Sequence, residues 1–263
     1  MRAGRAGEAG LAVNDLEVRF GGHTAVKSVS LRAPRARMTG LIGPNGAGKT
    51  TMFNACTGLL KPRSGSVMLD GRDITGLRPA ARARRGLGRT FQRLELCDSM
   101  SVAENVALGV EALRAGDNPI RHLWLSAKER ADVQARTDEA LQTCGLVQLR
   151  EEPAGALSTG QRRLVELARV CAGGYSMLLL DEPSSGLDHR ETEAFGRILR
   201  DLIDHGTGIL LVEHDMALVM SICDHVYVLE FGTVVFQGTP LEVQSSPVVR
   251  AAYLGSEGNA VSS

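Results

Sequence analysis

Residues 43–50 read Gly-Pro-Asn-Gly-Ala-Gly-Lys-Thr and meet every fixed position of G-x-x-x-x-G-K-[ST]. No other stretch restricts the fold as much. Such a loop needs a strand to deliver the chain into it and a helix to carry it away. Only then do a helix N-terminus and successive backbone N–H groups converge on one anion. Both flanks fit: "MTGLIG" is a short apolar run, and a helix is expected from about Lys49 to Thr57, stopped by Gly58. Lys49 has the length to reach the outer phosphates of a nucleotide, and the Thr50 hydroxyl is of the kind that ligates Mg²⁺. Gly43, Pro44, Asn45, Gly46, Ala47, Gly48 and Thr51 complete the cradle.

The rest of the pattern suits an α/β chain with a P-loop core. Leu16, Val18 and Phe20 alternate with polar residues, as do Val29 and Leu31, so the chain is expected to open with antiparallel strands. "SGSVMLDGRDI" reads as a strand with a turn at Asp70-Gly71. From about residue 93 the character becomes helical. Ser126 and Glu129 form a capping box, Gly145 is a stop, and Val133, Thr137, Ala140, Leu141 and Cys144 recur at helix spacing between them. "LSTGQ" opens a further helix with Leu164, Leu167, Ala168 and Cys171 on one face. "MLLLD" and "GILLV" are continuous apolar runs, as expected of parallel strands covered on both faces. Between them Phe195, Ile198, Leu199, Leu202 and Ile203 mark an amphipathic helix. A hairpin is expected to turn at Phe231-Gly232, and Thr239, Pro240 and Glu242 begin another helix. The expected organisation is a disordered arm over 1–10, one domain over 11–255 with a helical subdomain at about 93–170, and a loose tail over 256–263.

Composition narrows the function classes. Thirty basic and thirty acidic residues cancel, which argues against a chain that grips nucleic acid over its surface. Cys56, Cys97, Cys144, Cys171 and Cys223 are odd in number and scattered, so reduced thiols are expected rather than disulfides or a zinc site. No apolar run approaches the ~18 residues that cross a bilayer, so any work at a membrane requires a partner.

Further chemistry gathers at predicted strand ends. Asp181 closes "MLLLD", where open α/β sheets place ligands, and can hold a Mg²⁺ shell. Glu182 follows it and can act as general base on an attacking water. His214 follows "GILLVE" and can sense a terminal phosphate. Gln92, in "RTFQRLEL", stands where the sheet-rich half gives way to the helical one and can touch Mg²⁺ or water. Ser158, Thr159 and Gly160 stand just before a helical pattern and form a second candidate anion site. Phe20 can stack on a base, although an aromatic on an alternating strand is more often core.

In this order, Phe20, "GPNGAGKT", Gln92, "LSTGQ", "LLLDEP", "SSGLD" and His214 resemble the ATP-binding subunit of an ATP-binding-cassette (ABC) transporter, over about residues 11–255. The resemblance implies ATP and Mg²⁺ as cofactors, Phe20 under adenine, residues 157–161 as the signature, Asp188 in the D-loop and His214 as the switch histidine. It also implies a head-to-tail pair of ATPase subunits. Ser158 and Gly160 of one then contact the phosphate held by the P-loop of the other, so that each chain supplies half of two sites. Thr159 stands where the signature usually has glycine, and Gly186 where many members have alanine. "RTFQRLELCDSMSVAENVALG", "VEHDM" and "AAYLG" resemble importers of branched-chain amino acids and, nearby, of urea or amides. The partners implied are two membrane-spanning permease subunits, a second ATPase subunit and, indirectly, an external solute-binding protein, at the cytoplasmic face of the cell membrane. Leu94, Leu96, Met100 and Val102 fall where the family forms a groove for a membrane subunit, or else are core; Trp124 has no assigned role. The alternatives are a non-transport ABC ATPase, disfavoured by the single cassette without heptads, and a regulator that binds nucleotide without hydrolysis.

Overall fold

The computed structural model describes residues 9–90, 95–115 and 126–257. In chain order, β1 (Gly10–Phe20), β2 (His23–Pro34) and β3 (Met38–Ile42) precede α1 (Lys49–Thr57). Next come β4 (Ser64–Leu69), β5 (Arg72–Asp73), α2 (Pro79–Ala83) and β6 (Leu87–Arg89). The helices α3 (Val102–Ala115), α4 (Ala127–Thr143) and α5 (Thr159–Ala172) follow. The chain then alternates β7 (Met177–Asp181), α6 (His189–Asp204), β8 (Gly208–Val212) and α7 (Met216–Ile222). It closes with β9 (His225–Glu230), β10 (Thr233–Gly238), α8 (Pro240–Ser245) and α9 (Pro247–Glu257).

Strands β2, β1, β4 and β5 form one antiparallel sheet; the second runs β10-β9-β3-β8-β7-β6, parallel except for the edge strand β10. The two-faced burial expected of the apolar runs is literal. Along β7, Met177 and Leu179 enter one core with β1, β2 and α1, while Leu178 and Leu180 enter the other with α3, α4 and α5. Strand β8 divides likewise, Leu210 and Val212 against Ile209 and Leu211. The turns at Asp70-Gly71 and Phe231-Gly232 are confirmed, each pair having positive φ.

Helix α5 differs from its expected single apolar face. Val165 and Val170 are buried as well as Leu167 and Ala168, because α3 and α4 both pack on it. The approach of α3 is close enough that a Cβ on Gly109 would lie 1.9 Å from the Arg169 carbonyl oxygen. Val102 is fully buried, so it belongs to the core and lines no surface groove. At the termini, β1 already includes Gly10, and α9 continues through Glu257, where a loose tail was expected. Val249 and Ala252 bury one side of α9, and Tyr253 packs on the core.

The C-terminal end of α1 is closed by a residue far from it in sequence. Arg82 is 1% exposed, and its guanidinium donates to the carbonyls of Ala55 (2.8 Å), Cys56 (2.6 Å), Thr75 (2.7 Å) and Leu77 (3.0 Å). The first two are carbonyls of the last helical turn, where backbone donors run out; Ala55 O also accepts from the Gly58 N–H at 3.3 Å. The charge also sits at the negative end of the helix.

Candidate functional site

Strands β3, β8 and β7 are neighbours, and the predicted chemistry leaves their carboxyl ends together: residues 43–50 after β3, His214 after β8, Asp181 and Glu182 at the end of β7. The loop's glycines are required by close backbone. A Cβ on Gly43 would lie 2.0 Å from the Leu229 carbonyl oxygen, and one on Gly48 would lie 2.5 Å from that of Ala25. The β9–β10 turn braces the loop, Gly232 N–H donating to Ala47 O at 2.9 Å. Gly48, at φ 102°, is the N-cap of α1. Lys49 Nζ donates to the carbonyls of Gly43 (2.6 Å) and Pro44 (3.0 Å). Burial pushes the Lys49 pKa down, while Glu182 and Asp181 pull it up.

Asp181 is 1% exposed. Its Oδ2 accepts from Arg89 at 3.1 Å, and its Oδ1 is buried without a hydrogen-bond partner among the described residues. Burial raises the Asp181 pKa and Arg89 opposes the rise. An orphaned carboxylate oxygen beside a phosphate cradle fits a hard divalent cation. With Thr50 as the second protein ligand, most of the coordination shell would fall to phosphate and water, as Mg²⁺ prefers. No group of three or more His, Cys, Asp or Glu able to hold a metal occurs among the described residues.

Glu182 has φ 49°, a left-handed conformation unusual for its type, in a turn where Ser185 N–H donates to its carbonyl at 3.2 Å. Its carboxylate Oε2 stands 4.0 Å from His214 Nδ1. Ser158 caps α5 in a reciprocal capping box with Gln161, and Asp188 caps α6 in another with Glu191. These two helix starts meet: a Cβ on Gly160 would be 2.2 Å from Glu191 Oε1, and one on Gly186 would be 3.1 Å from Thr159 Cγ2. Phe20 is 50% exposed at the end of β1, opposite His23, so the core reading fails and an aromatic surface is left outward. Gln92, Leu94 and Trp124 lie outside the described residues.

Sequence reasoning missed Arg89, Ser184 and Glu213. Arg89 holds Asp181 and also donates to Asn54 Oδ1 (2.5 Å) and Thr57 Oγ1 (3.2 Å), tying the end of β7 to α1. Its only signal in the sequence is an arginine at the end of a short run leading to Gln92.

Comparison with known proteins agrees with this geometry. The family model described as ABC transporter matches residues 26–185. A second, described as branched-chain amino acid ATP-binding cassette transporter, matches residues 233–259. The high-affinity branched-chain amino acid transport ATP-binding protein LivG of Salmonella typhimurium is 41% identical over 93% of this chain and 97% of its own. BraF of Pseudomonas aeruginosa, described in the same words, is 39% identical over the same shares. Among solved structures, the ADP conformation of MJ1267, an ATP-binding cassette of an ABC transporter, superposes with a TM-score of 0.83 at 31% identity, over 94% of this chain and 98% of that one. No helix among the described residues is long and apolar enough to cross a membrane. The chain belongs to the ABC transporter family, as one of its ATP-binding subunits.

Proposed function

We propose that this chain hydrolyses ATP to drive uptake of branched-chain amino acids through two membrane-spanning permease subunits. The observation that carries the ATPase mechanism is the convergence of Lys49, Asp181, Glu182 and His214 at the ends of three adjacent parallel strands. Lys49 exchanges the Gly43 and Pro44 carbonyls for the outer phosphate oxygens. Glu182 takes a proton from water as that water attacks the terminal phosphorus and the bond to the ADP oxygen breaks, giving ADP and phosphate. His214, beside Glu182, contacts the terminal phosphate and responds to its loss. Thr50, Asp181 and Gln92 would hold Mg²⁺, which would neutralise charge at the phosphates. Phe20 offers its exposed ring to adenine.

The second cluster has its place between chains. Ser158, Gly160, Gln161 and Asp188 complete the site of a second ATPase subunit, identical or paralogous, at the cytoplasmic face of the membrane. Ser158 Oγ already accepts from Gln161 N–H, so its own hydrogen remains for a neighbour's phosphate. The solute itself is inferred from the match of residues 233–259 and from the names of LivG and BraF, with an external solute-binding protein as the indirect partner and no role for nucleic acid. Glu182→Gln tests the assignment of the base. Turnover should fall by at least about 10²-fold while an ATP-dependent dimer persists in size-exclusion chromatography; undiminished turnover refutes it.

A further inference from the structure

Glu213 lies between the two catalytic segments, and its side chain touches both. It is 1% exposed. Oε1 accepts from Ser184 N–H (2.9 Å) and Ser184 Oγ (2.7 Å), and Oε2 accepts from His214 N–H (3.1 Å). Ser184 is itself buried and lies two residues past Glu182; His214 is the residue after Glu213. A backbone bond crosses the same gap, Glu182 N–H donating to Val212 O at 2.9 Å. The His214 ring is mostly exposed, with Nδ1 3.8 Å from Glu213 Oε2 and 4.0 Å from Glu182 Oε2.

A carboxylate this deep is costly unless its lone pairs are filled. Here donors from two loops fill both oxygens. Glutamine cannot replace it, because an amide accepts at one end only and would turn an NH₂ toward a donor. The Glu182 turn also needs an outside constraint, since its φ of 49° is unfavourable for glutamate.

We propose that Glu213 is a positioning residue that binds the Glu182 turn and the His214 backbone into one unit, so that displacement of His214 is passed to the general base. This rests on the roles given above to Glu182 and His214. It predicts that loosening the Ser184–Glu213 link misplaces the base with little effect on nucleotide binding, which belongs to other elements.

The test measures kcat and the equilibrium affinity for a fluorescent ATP analogue in Glu213→Gln, Ser184→Ala and the double variant, with Glu182→Gln in parallel. Glu213→Gln should lower kcat by about tenfold to a hundredfold, the usual consequence of a small misplacement of a catalytic group. Ser184→Ala should lower it about fivefold, the equivalent of one buried hydrogen bond. Affinity should stay within about twofold of wild type. The double variant should be no worse than Glu213→Gln alone, because both changes cut one link. Wild-type kcat in Ser184→Ala, or kcat and affinity falling together in both single variants, overturns the proposal; the first criterion holds even if Glu213→Gln does not fold. Full turnover in Glu182→Gln rejects the assignment of the base instead, whereas an inactive Glu182→Gln beside full-speed Glu213→Gln and Ser184→Ala rejects only the link.

Discussion

Arg82 offers a quantitative test of what holds the phosphate loop's helix in place. Arg82→Leu keeps much of the buried volume and deletes four hydrogen bonds, from the guanidinium to Ala55, Cys56, Thr75 and Leu77. At about 1 kcal/mol each after competition from water, the loss is about 4 kcal/mol. Ala55 O keeps its bond from the Gly58 N–H, but the other three carbonyls are left facing leucine, so relief by apolar burial is small. For a chain of this size 1 kcal/mol moves Tm by about 2–4 °C, so the expected fall is about 8–16 °C. Arg82→Lys keeps a charge at the helix end but loses the planar fork, and should recover about half of the loss. The assay is thermal unfolding followed by far-UV circular dichroism, without nucleotide. A fall of less than about 2 °C for Arg82→Leu would refute the reasoning, because four satisfied carbonyls would then be contributing almost nothing.

Two further outcomes follow from burial and capping. Burial pushes the Cys56 and Cys223 thiols up to about 12, and Cys144 is raised by its hydrogen bond with Cys171 and by burial. Cys97 is exposed. Alkylation of the native protein at about pH 8, read by mass spectrometry, should modify Cys97 quickly and Cys56, Cys144 and Cys223 only after unfolding. At the start of α8, hydrogen bonds from the Thr239 N–H and hydroxyl hold the Glu242 pKa below its ordinary value. The unfolded chain binds the proton more readily, so this contribution is complete above the ordinary glutamate range and is lost as pH falls through the depressed value. The difference in urea midpoint between wild type and Thr239→Ala should therefore be larger at about pH 6 than below about pH 4; a difference constant with pH contradicts the linkage.

Legibility in the sequence followed the range of the interaction. The P-loop, the capping boxes at Ser126 and Thr239 and the turns at Asp70-Gly71 and Phe231-Gly232 were all readable, because each is decided within a few residues. Asp181, Glu182 and His214 were readable because each follows an apolar run that could only be a covered strand. Arg82, Arg89 and Glu213 were not. Each has a distant partner, 26–27, 92 and 29 residues away respectively, and no local pattern marks an arginine or glutamate whose fellow is fixed by sheet order. The burial of α5 on several sides and the outward Phe20 belong to the same class. Periodicity locates one apolar face but not a second neighbour, and alternation does not reveal where a strand's inner face stops being covered.

The meeting of the two helix starts bears on how variants of the signature are interpreted. A methyl group at position 160 displaces the Glu191 carboxylate, whose other oxygen receives the Asp188 N–H at 3.0 Å. Gly160→Ala therefore moves the Glu191 carboxylate away from the Asp188 N–H inside a single chain, before any second subunit approaches, while the Asp188 side chain keeps its bond from the Glu191 N–H. The glycine serves as an intramolecular joint, and a change there reaches Asp188 through Glu191.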